Sequence, residues 1–209
     1  MWVAGYGPKA LAVAGRVGDG VIIQLADPVI IQWIMDTARA AAAEAGRDPA
    51  KLECIVCAPS HITDDIADAR DQVRWFPAMV SNHVMDLIEK YGWESEIPEA
   101  LTEYVKARKF YDYKDHSREG AAHGEFVTDE IADRFSVIGS ADAVTEKLKE
   151  LESIGVDHFN IYLMTHGALK LAMVLLLARR ILWAYPAAMA ILAGFILYQM
   201  NNWTHTHSP

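Results

Sequence analysis

A glycine-rich segment near the N-terminus carries the residue types that bind anions. Gly5, Gly7 and Ala10 have the spacing G-x-G-x-x-A, Pro8 suits the first position of a helix, and Lys9 adds a positive charge. Where a strand passes into a helix, the free N–H groups of the first helical turn attract a phosphate. The same spacing also fits a tight strand-to-helix turn without a ligand, so the pattern alone leaves both interpretations open.

An acidic residue follows this segment at the distance found in dinucleotide-binding units. Asp27 ends the next predicted strand, 22 residues after Gly5, and in that fold such a residue binds a ribose hydroxyl. One hypothesis is therefore an NAD(P)-binding βαβ domain. Four parallel strands in sequential neighbour order would exclude it, because the dinucleotide fold needs a point where the strand order reverses.

The other candidates for chemistry are histidines and cysteines. His61, at the end of the third predicted strand, is a weak candidate for a catalytic group, and the alternative is a loop histidine that caps the following turn. Cys54 and Cys57 form a C-x-x-C pair within an apolar run, which we interpret as two inert buried thiols on opposite faces of a strand. His205 and His207 supply only two ligands, so no metal site is predicted.

The elements that must position these residues alternate between strands and helices. Continuous apolar runs predict strands at 2–4, 21–25 and 52–58, separated by helical patterns at 9–17 and 28–45. Strands of this kind are typical of a parallel sheet that is covered on both faces. The order β-α-β-α-β therefore indicates an α/β fold.

The second half of the domain continues this pattern after an interruption. A helical and aromatic segment, about residues 64–127, is predicted to be an insertion, and its polar stretch 115–124 an exposed loop. Ser140 is the predicted N-cap of a helix over 141–154, and a strand follows at 156–164. The sequence thus predicts about four β/α units.

Two ordered motifs in residues 2–166 resemble luciferase-like monooxygenases. The first is WVAGYGPKAL with AGRVGDGVI, at 2–11 and 14–22; the second is DRFSVIGSAD with GVDHFNIY, at 133–142 and 155–162. They are similar to the C-terminal half of the family's TIM (β/α)8 barrel. The resemblance implies hydride transfer or oxygenation of a small organic substrate at a flavin-type ring, either the deazaflavin coenzyme F-420 or FMN.

The resemblance also implies a set of cofactor-binding residues. Two strand-to-helix loops hold the cofactor phosphate in the family, and they correspond here to a first and a second loop: Gly5, Tyr6, Gly7 and Lys9, then Gln24, Leu25 and Ala26. Both loops follow strand C-termini, the functional face of such a barrel. The family's first four strands have no counterpart. We therefore expect a half-barrel that is inactive alone and that self-associates or pairs through its open edges.

The last 42 residues, 168–209, differ in kind from the rest. They contain no acidic side chain, whereas residues 1–167 hold 16 basic and 28 acidic residues, a formal charge of −12 that does not favour nucleic acid as a partner. Residues 181–200 carry no formal charge, and a helix of 20 residues at about 1.5 Å each matches a bilayer core of about 30 Å. We predict a transmembrane helix there.

The tail also predicts the cellular location of the domain 1–166 and favours particular functions. The hydrophobic segment 167–209 resembles a family of small predicted membrane proteins of unknown function. Arg179 and Arg180 precede the span, and the positive-inside rule places them and the domain 1–166 on the cytoplasmic side; the N-terminus shows no signal-peptide pattern. The leading hypothesis is a luciferase-like oxidoreductase fragment fused to a membrane helix. The alternative is a membrane-anchored binding or interaction module without catalysis.

Overall fold

The computed structural model describes residues 1–92, 97–115 and 120–163. The chain divides into two compact units, Met1–Met164 and Thr165–Pro209, and the described residues belong to the first. The strands are β1 (Trp2–Ala4), β2 (Gly20–Ile23), β3 (Glu53–Ile62), β4 (Val137–Gly139) and β5 (His158–Leu163). The helices are α1 (Pro8–Val17), α2 (Pro28–Glu44), α3 (Ile66–Val73), α4 (Trp75–Tyr91), α5 (Glu99–Thr102), α6 (Asp129–Phe135) and α7 (Ala141–Ser153).

The five strands form one parallel sheet. β1 pairs with β2, β2 with β3, and β3 with both β4 and β5. Ile55 of β3 is paired with Ile22 of β2 and with His158 of β5, so β2 and β5 lie on opposite sides of β3. Ser60 lies in the same way between β4 and β5. β4 therefore lies on the same side of β3 as β2, and it pairs with the C-terminal part of β3, beyond the end of β2.

This topology confirms the predicted parallel α/β fold and contradicts one alternative. Among the described strands, the neighbours β1, β2, β3 and β5 follow in chain order without a reversal. The NAD(P)-binding βαβ hypothesis is therefore wrong, because its fold needs a reversal of strand order where the dinucleotide binds. The sequence also missed β4: three residues give almost no apolar pattern, and the strand exists because β3 extends to Ile62, four residues beyond its predicted end.

Helices cover one face of the sheet. Val21 and Ile23 of β2, with Cys54 and Val56 of β3, are fully buried in the same apolar core as α1 and α2. At the start of α2, the Asp27 carboxylate accepts the Ile30 amide. The predicted N-cap Ser140 is confirmed, since its hydroxyl accepts the Ala143 amide at 3.2 Å.

The opposite face of the sheet is concave and partly open. We call it the concave face, and its members alternate with the core residues along each strand: Ala4, Ile22, Ile55, Cys57, His158, Asn160 and Tyr162. Trp2 of β1 lies edge-on to His158 of β5, with ring centroids 5.9 Å apart. Because these side chains come from the two outermost strands, the sheet is strongly curved.

The chain between β3 and β4 forms α3 to α6 and several short 3-10 helices. Within the predicted exposed loop, His123 and Gly124 are instead buried. The expectation is wrong there because the His123 ring packs on Tyr111, with centroids 4.2 Å apart. Across the three described ranges, no helix is both long and apolar enough to span a membrane; the predicted span 181–200 lies outside them.

Ion pairs join the start of this insertion to α6. Arg70 of α3 holds Asp133 with two N–H groups, at 2.9 and 2.7 Å. Arg74, between α3 and α4, donates to Asp129 at 2.7 Å and to the backbone oxygen of Val127 at 2.6 Å. The bond from Arg74 holds the pKa of Asp129 below its usual value, helped by Arg70. The pairing therefore stabilises the ionised carboxylate.

The protein should lose part of its stability in acid through Asp129. A carboxylate with a lowered pKa in the folded state stabilises the fold above its unfolded pKa of about 4, and this contribution is lost as the pH falls through the folded pKa. Asp129→Asn should therefore shrink the difference in unfolding free energy between pH 7 and pH 3, measured by urea titration. Asp36→Asn, at an exposed position of α2, is the control; equal differences in both variants would contradict the assignment.

Candidate functional site

The candidate site lies at the edge where the parallel strands end. Parallel strands place the loops that follow them at one edge of the sheet, so the joins after β1, β2 and β3 are neighbours. Tyr6, in the first join, is 7% exposed, and its hydroxyl donates to the backbone oxygen of Gln24 in the second at 3.1 Å. The structure thus brings together the two loops that the resemblance singled out.

The members of these loops differ in what they offer a ligand. Gly7 is the N-cap of α1, with Pro8 at the first helical position and no side chain on the cap. Lys9 is exposed. By contrast, Leu25 and Ala26 are fully buried, and the Ala26 amide is already bonded to Phe135 O at 3.1 Å. The side chains of these two residues can therefore pack beneath the site but cannot contact a ligand.

Helix α4 lies across this edge of the sheet, a feature that sequence reasoning missed. Near its start, Phe76 contacts Tyr162 of β5, with centroids 6.2 Å apart. Further along, His83 stacks on Tyr6 at 5.6 Å. Near its end, Leu87 lies so close to Gly7 that a Cβ added at the glycine would be 2.7 Å from Leu87 Cδ2. Gly7 therefore permits the close approach of α4 as well as the helix start.

A pocket of about 480 Å³ lies between the start of α1 and the end of α4. Its lining residues are Gly7, Lys9, Ala10, Leu87, Lys90 and Tyr91. The two lysines come from different helices, and both are exposed. With the free N–H groups of the first turn of α1, they make the pocket suitable for an anion such as phosphate. Lys90 is a candidate residue that the sequence did not reveal, because only the docking of α4 brings it beside Lys9.

His61, the weak catalytic candidate, lies within β3 rather than in the loop that follows. It pairs in register with Ile138 of β4, and its Nε2 is 2.9 Å from a carboxylate oxygen of Asp68 in α3. The side chain is almost fully buried. His61 therefore joins α3 to the end of β3, and it is not among the residues that line the pocket of Lys9 and Lys90.

Asp27 has a structural role in place of the ribose contact of the dinucleotide hypothesis. It is 2% exposed. One carboxylate oxygen accepts the Ile30 amide at 3.0 Å and the other accepts Arg134 Nε at 2.6 Å. With both oxygens engaged in this way, the carboxylate ties the start of α2 to α6.

The described residues do not assemble a metal centre. Within the ranges that the structure covers, no group of three or more histidine, cysteine, aspartate or glutamate side chains is arranged to hold a metal ion. His205 and His207 lie outside those ranges.

The parallel sheet and the helices that connect its strands define an α/β protein. Within that class, the chain belongs to the luciferase-like monooxygenase family, which matches residues 1–158. Residues 118–209 also match a family described as predicted membrane protein, DUF2127. The two matches overlap, so the second begins well before the predicted boundary at residue 166.

Among curated relatives, the chain is similar to the 5,10-methylenetetrahydromethanopterin reductase of Methanolobus tindarius. The two are 31% identical over 157 residues, which is 75% of this chain and 45% of that protein. The chain thus spans about half the length of this relative. This similarity supports the family assignment. It does not extend to the activity of the whole reductase, since this chain is shorter.

Two solved structures show the same fold. The coenzyme F-420 dependent tetrahydromethanopterin reductase from Methanopyrus kandleri has a TM-score of 0.53 at 21% identity, over 78% of this chain and 44% of that one. An F-420-dependent secondary alcohol dehydrogenase, in complex with an F-420–acetone adduct, has a TM-score of 0.56 at 21% identity, over 78% and 42%. At such identities the likeness concerns the fold alone.

Proposed function

We propose that residues 1–163 act as the C-terminal half of a flavin-type oxidoreductase, and that the pocket of Lys9 and Lys90 binds the phosphate of the cofactor. The observation that carries the proposal is the convergence of two lysines and a helix N-terminus in one pocket at the functional edge of the sheet. The cofactor is coenzyme F-420 or FMN, since relatives of this chain are named for coenzyme F-420 and the family for its monooxygenases.

The roles of the chain's own residues follow from their positions. Lys9 and Lys90 neutralise the phosphate, and the first turn of α1 donates N–H groups to it. Tyr6 fixes the loop beside them through its bond to Gln24. When bound, the deazaflavin or flavin ring would transfer a hydride to or from a small organic substrate, or activate oxygen for the oxygenation of that substrate. We propose that binding by this half alone is weak and that it does not turn over substrate.

Phosphate binding by the two lysines should appear as a loss of affinity in variants. Coenzyme F-420 and FMN are titrated into the full chain by fluorescence. Lys9→Ala and Lys90→Ala should each weaken binding about tenfold, because each removes a charge-assisted contact that is partly screened by solvent. Added salt should weaken the parent protein more than either variant.

Lys51→Ala is the matched control, since Lys51 is an exposed lysine just before β3, at the opposite edge of the sheet. Its affinity should equal that of the parent. Riboflavin, which lacks the phosphate, should bind the parent and both pocket variants alike. The proposal would be contradicted if all variants bound FMN with equal affinity, or if the parent protein bound neither cofactor. Unchanged binding after Gly7→Asp would also count against this pocket.

A second candidate function is that of a membrane-anchored interaction module. The concave face and the two outer strands β1 and β5 favour it, because Ala4, His158 and Asn160 are exposed on one side of a sheet whose outer strands have no further strand partner among the described residues. We propose that residues 181–200 anchor the chain in a bilayer, with residues 1–166 in the cytoplasm, and that the edges pair with a second copy or a separate half. A sedimentation experiment on the full chain in detergent distinguishes a monomer from such an assembly.

A further inference from the structure

Each of the two outer strands leaves one edge without a strand partner in the part of the chain that the structure describes. There, β1 pairs with β2 alone and β5 with β3 alone. The backbone N–H and C=O groups along an open edge favour pairing with a further strand. The side chains beside the two edges indicate which molecule supplies that strand.

On the β1 side, α1 exposes an apolar stripe. Gly15 packs on α2, because a Cβ added there would lie 2.1 Å from the backbone oxygen of Ala38. Val13 and Val17 each lie two residues from Gly15, about 160° around the helix from it, so both point away from α2. They are 50% and 57% exposed. Since α2 connects β2 to β3, the side of α1 away from α2 is the side of the open β1 edge.

On the β5 side, the helix-covered face of the sheet carries apolar side chains that are not fully covered. Phe159 and Ile161 pair in register with Val56 and Ala58, which are fully buried in the core beneath the helices. Phe159 and Ile161 therefore point to that same face, but both are only half-buried. Each open edge thus has apolar surface beside it that a neighbouring strand and its side chains would cover.

The surfaces beside the two edges carry opposite charges. α1 contains Lys9 and Arg16 and no acidic residue. The last turn of α7 and the turn into β5 contain three exposed acidic residues and no basic one: Glu150, Glu152 and Asp157. Arg16 and Glu152 lie near helix ends that lead into parallel strands, at the same edge of the sheet. Opposite charges at one height favour a specific register between partners.

We infer that the partner is a second copy of this chain, which sets its β5 edge along β1 and its β1 edge along β5. The two copies are related by a two-fold axis parallel to the strands, and each adds its row β1, β2, β3 and β5 to a closed ring of about eight strands. Phe159 and Ile161 of the second copy cover Val13 and Val17, and its acidic turn lies near Arg16. This inference rests on the proposed pairing of sheet edges, and the complementarity of the chain's own two sides favours a second copy over a separate half.

Substitutions beside each edge should weaken the dimer, and sedimentation of the full chain in detergent measures it. Val13→Glu places a carboxylate in the apolar contact and near the acidic turn of the second copy, so it should weaken dimerisation at least about tenfold. Ile161→Glu should do the same from the β5 side. Val29→Glu is the matched control, since Val29 is 58% exposed in the first turn of α2, and it should leave the dimer unchanged.

Mixing the two variants tests the pairing of β1 with β5 directly. Each variant alone carries its substitution in both contacts of its dimer. A mixed dimer keeps one contact intact, because the β1 side of Ile161→Glu and the β5 side of Val13→Glu are unchanged. The 1:1 mixture should therefore associate more strongly than either variant. Circular dichroism checks that both variants fold, and Glu152→Arg, at an exposed position, replaces Ile161→Glu if that variant does not.

Three results would overturn the inference: a monomeric parent, a Val13→Glu variant that dimerises as well as the parent, or a mixture no stronger than its two components. FMN titration of the same samples separates these results from the proposed phosphate pocket. A monomeric parent that binds FMN through Lys9 and Lys90 would remove the pairing and keep the pocket. A dimer that responds to the substitutions but binds no FMN would keep the pairing and remove the pocket.

Discussion

Replacing Arg134 with alanine should lower the free energy of unfolding by about 3–5 kcal/mol. The guanidinium is the partner of Asp27, at 2.6 Å between Nε and Oδ2. Asp27 is 2% exposed, so the variant leaves an almost fully buried carboxylate that keeps, among the described residues, the Ile30 amide as its hydrogen-bond partner. The cost of that unpaired buried charge exceeds the loss of an exposed ion pair, which is about 0–1 kcal/mol. Urea or thermal unfolding of the full chain measures it.

The double variant Arg134→Ala with Asp27→Asn distinguishes a buried charge from a simple loss of packing. Asparagine keeps an oxygen for the Ile30 amide and removes the charge, so it should recover part of the stability lost in Arg134→Ala. Arg16→Ala, at an exposed position in the last turn of α1, serves as the control and should change little. A double variant less stable than Arg134→Ala alone would contradict the role assigned to the Asp27 charge.

The order of helices and strands was predictable because it depends on local signals. Ser140, the predicted N-cap of α7, does accept an amide of the first helical turn. Apolar runs located four of the five strands that the structure describes. β4 escaped because its three residues pair with the end of β3, some 77 positions earlier in the sequence, and no local pattern records such a pairing.

The site was predictable only in its loops. The resemblance placed Tyr6 and Gln24 in neighbouring joins, and the structure joins them by a hydrogen bond. The resemblance assigned Leu25 to a cofactor-binding loop, whereas its side chain is fully buried, as the apolar run 21–25 indicated. Lys90 could not be singled out either, because it is one of several charged residues on a helix; it lines the pocket because α4 crosses the strand edge and ends beside α1.

Replacing Gly15 with alanine should destabilise the protein by about 2–3 kcal/mol, although alanine is the better helix former. Helix propensity alone favours the variant by about 1 kcal/mol. The added Cβ, however, would lie 2.1 Å from the backbone oxygen of Ala38 and 2.8 Å from the nitrogen of Ala42. Backbone atoms of α2 cannot rotate aside, so α1 and α2 must separate, and the overpacking outweighs the propensity. Chemical denaturation measures the difference.

The contrast with Gly124 makes this expectation specific. A Cβ at Gly124 would meet only the backbone oxygen of Arg74, at 4.0 Å, so Gly124→Ala should change stability little. Ala41→Gly removes the nearest side-chain contact at Gly15, where the two Cβ atoms would lie 2.9 Å apart. It should not rescue Gly15→Ala, because the backbone of α2 remains in place. Full rescue would show that side-chain crowding, and not the close approach of two helix backbones, is the reason for glycine at this position.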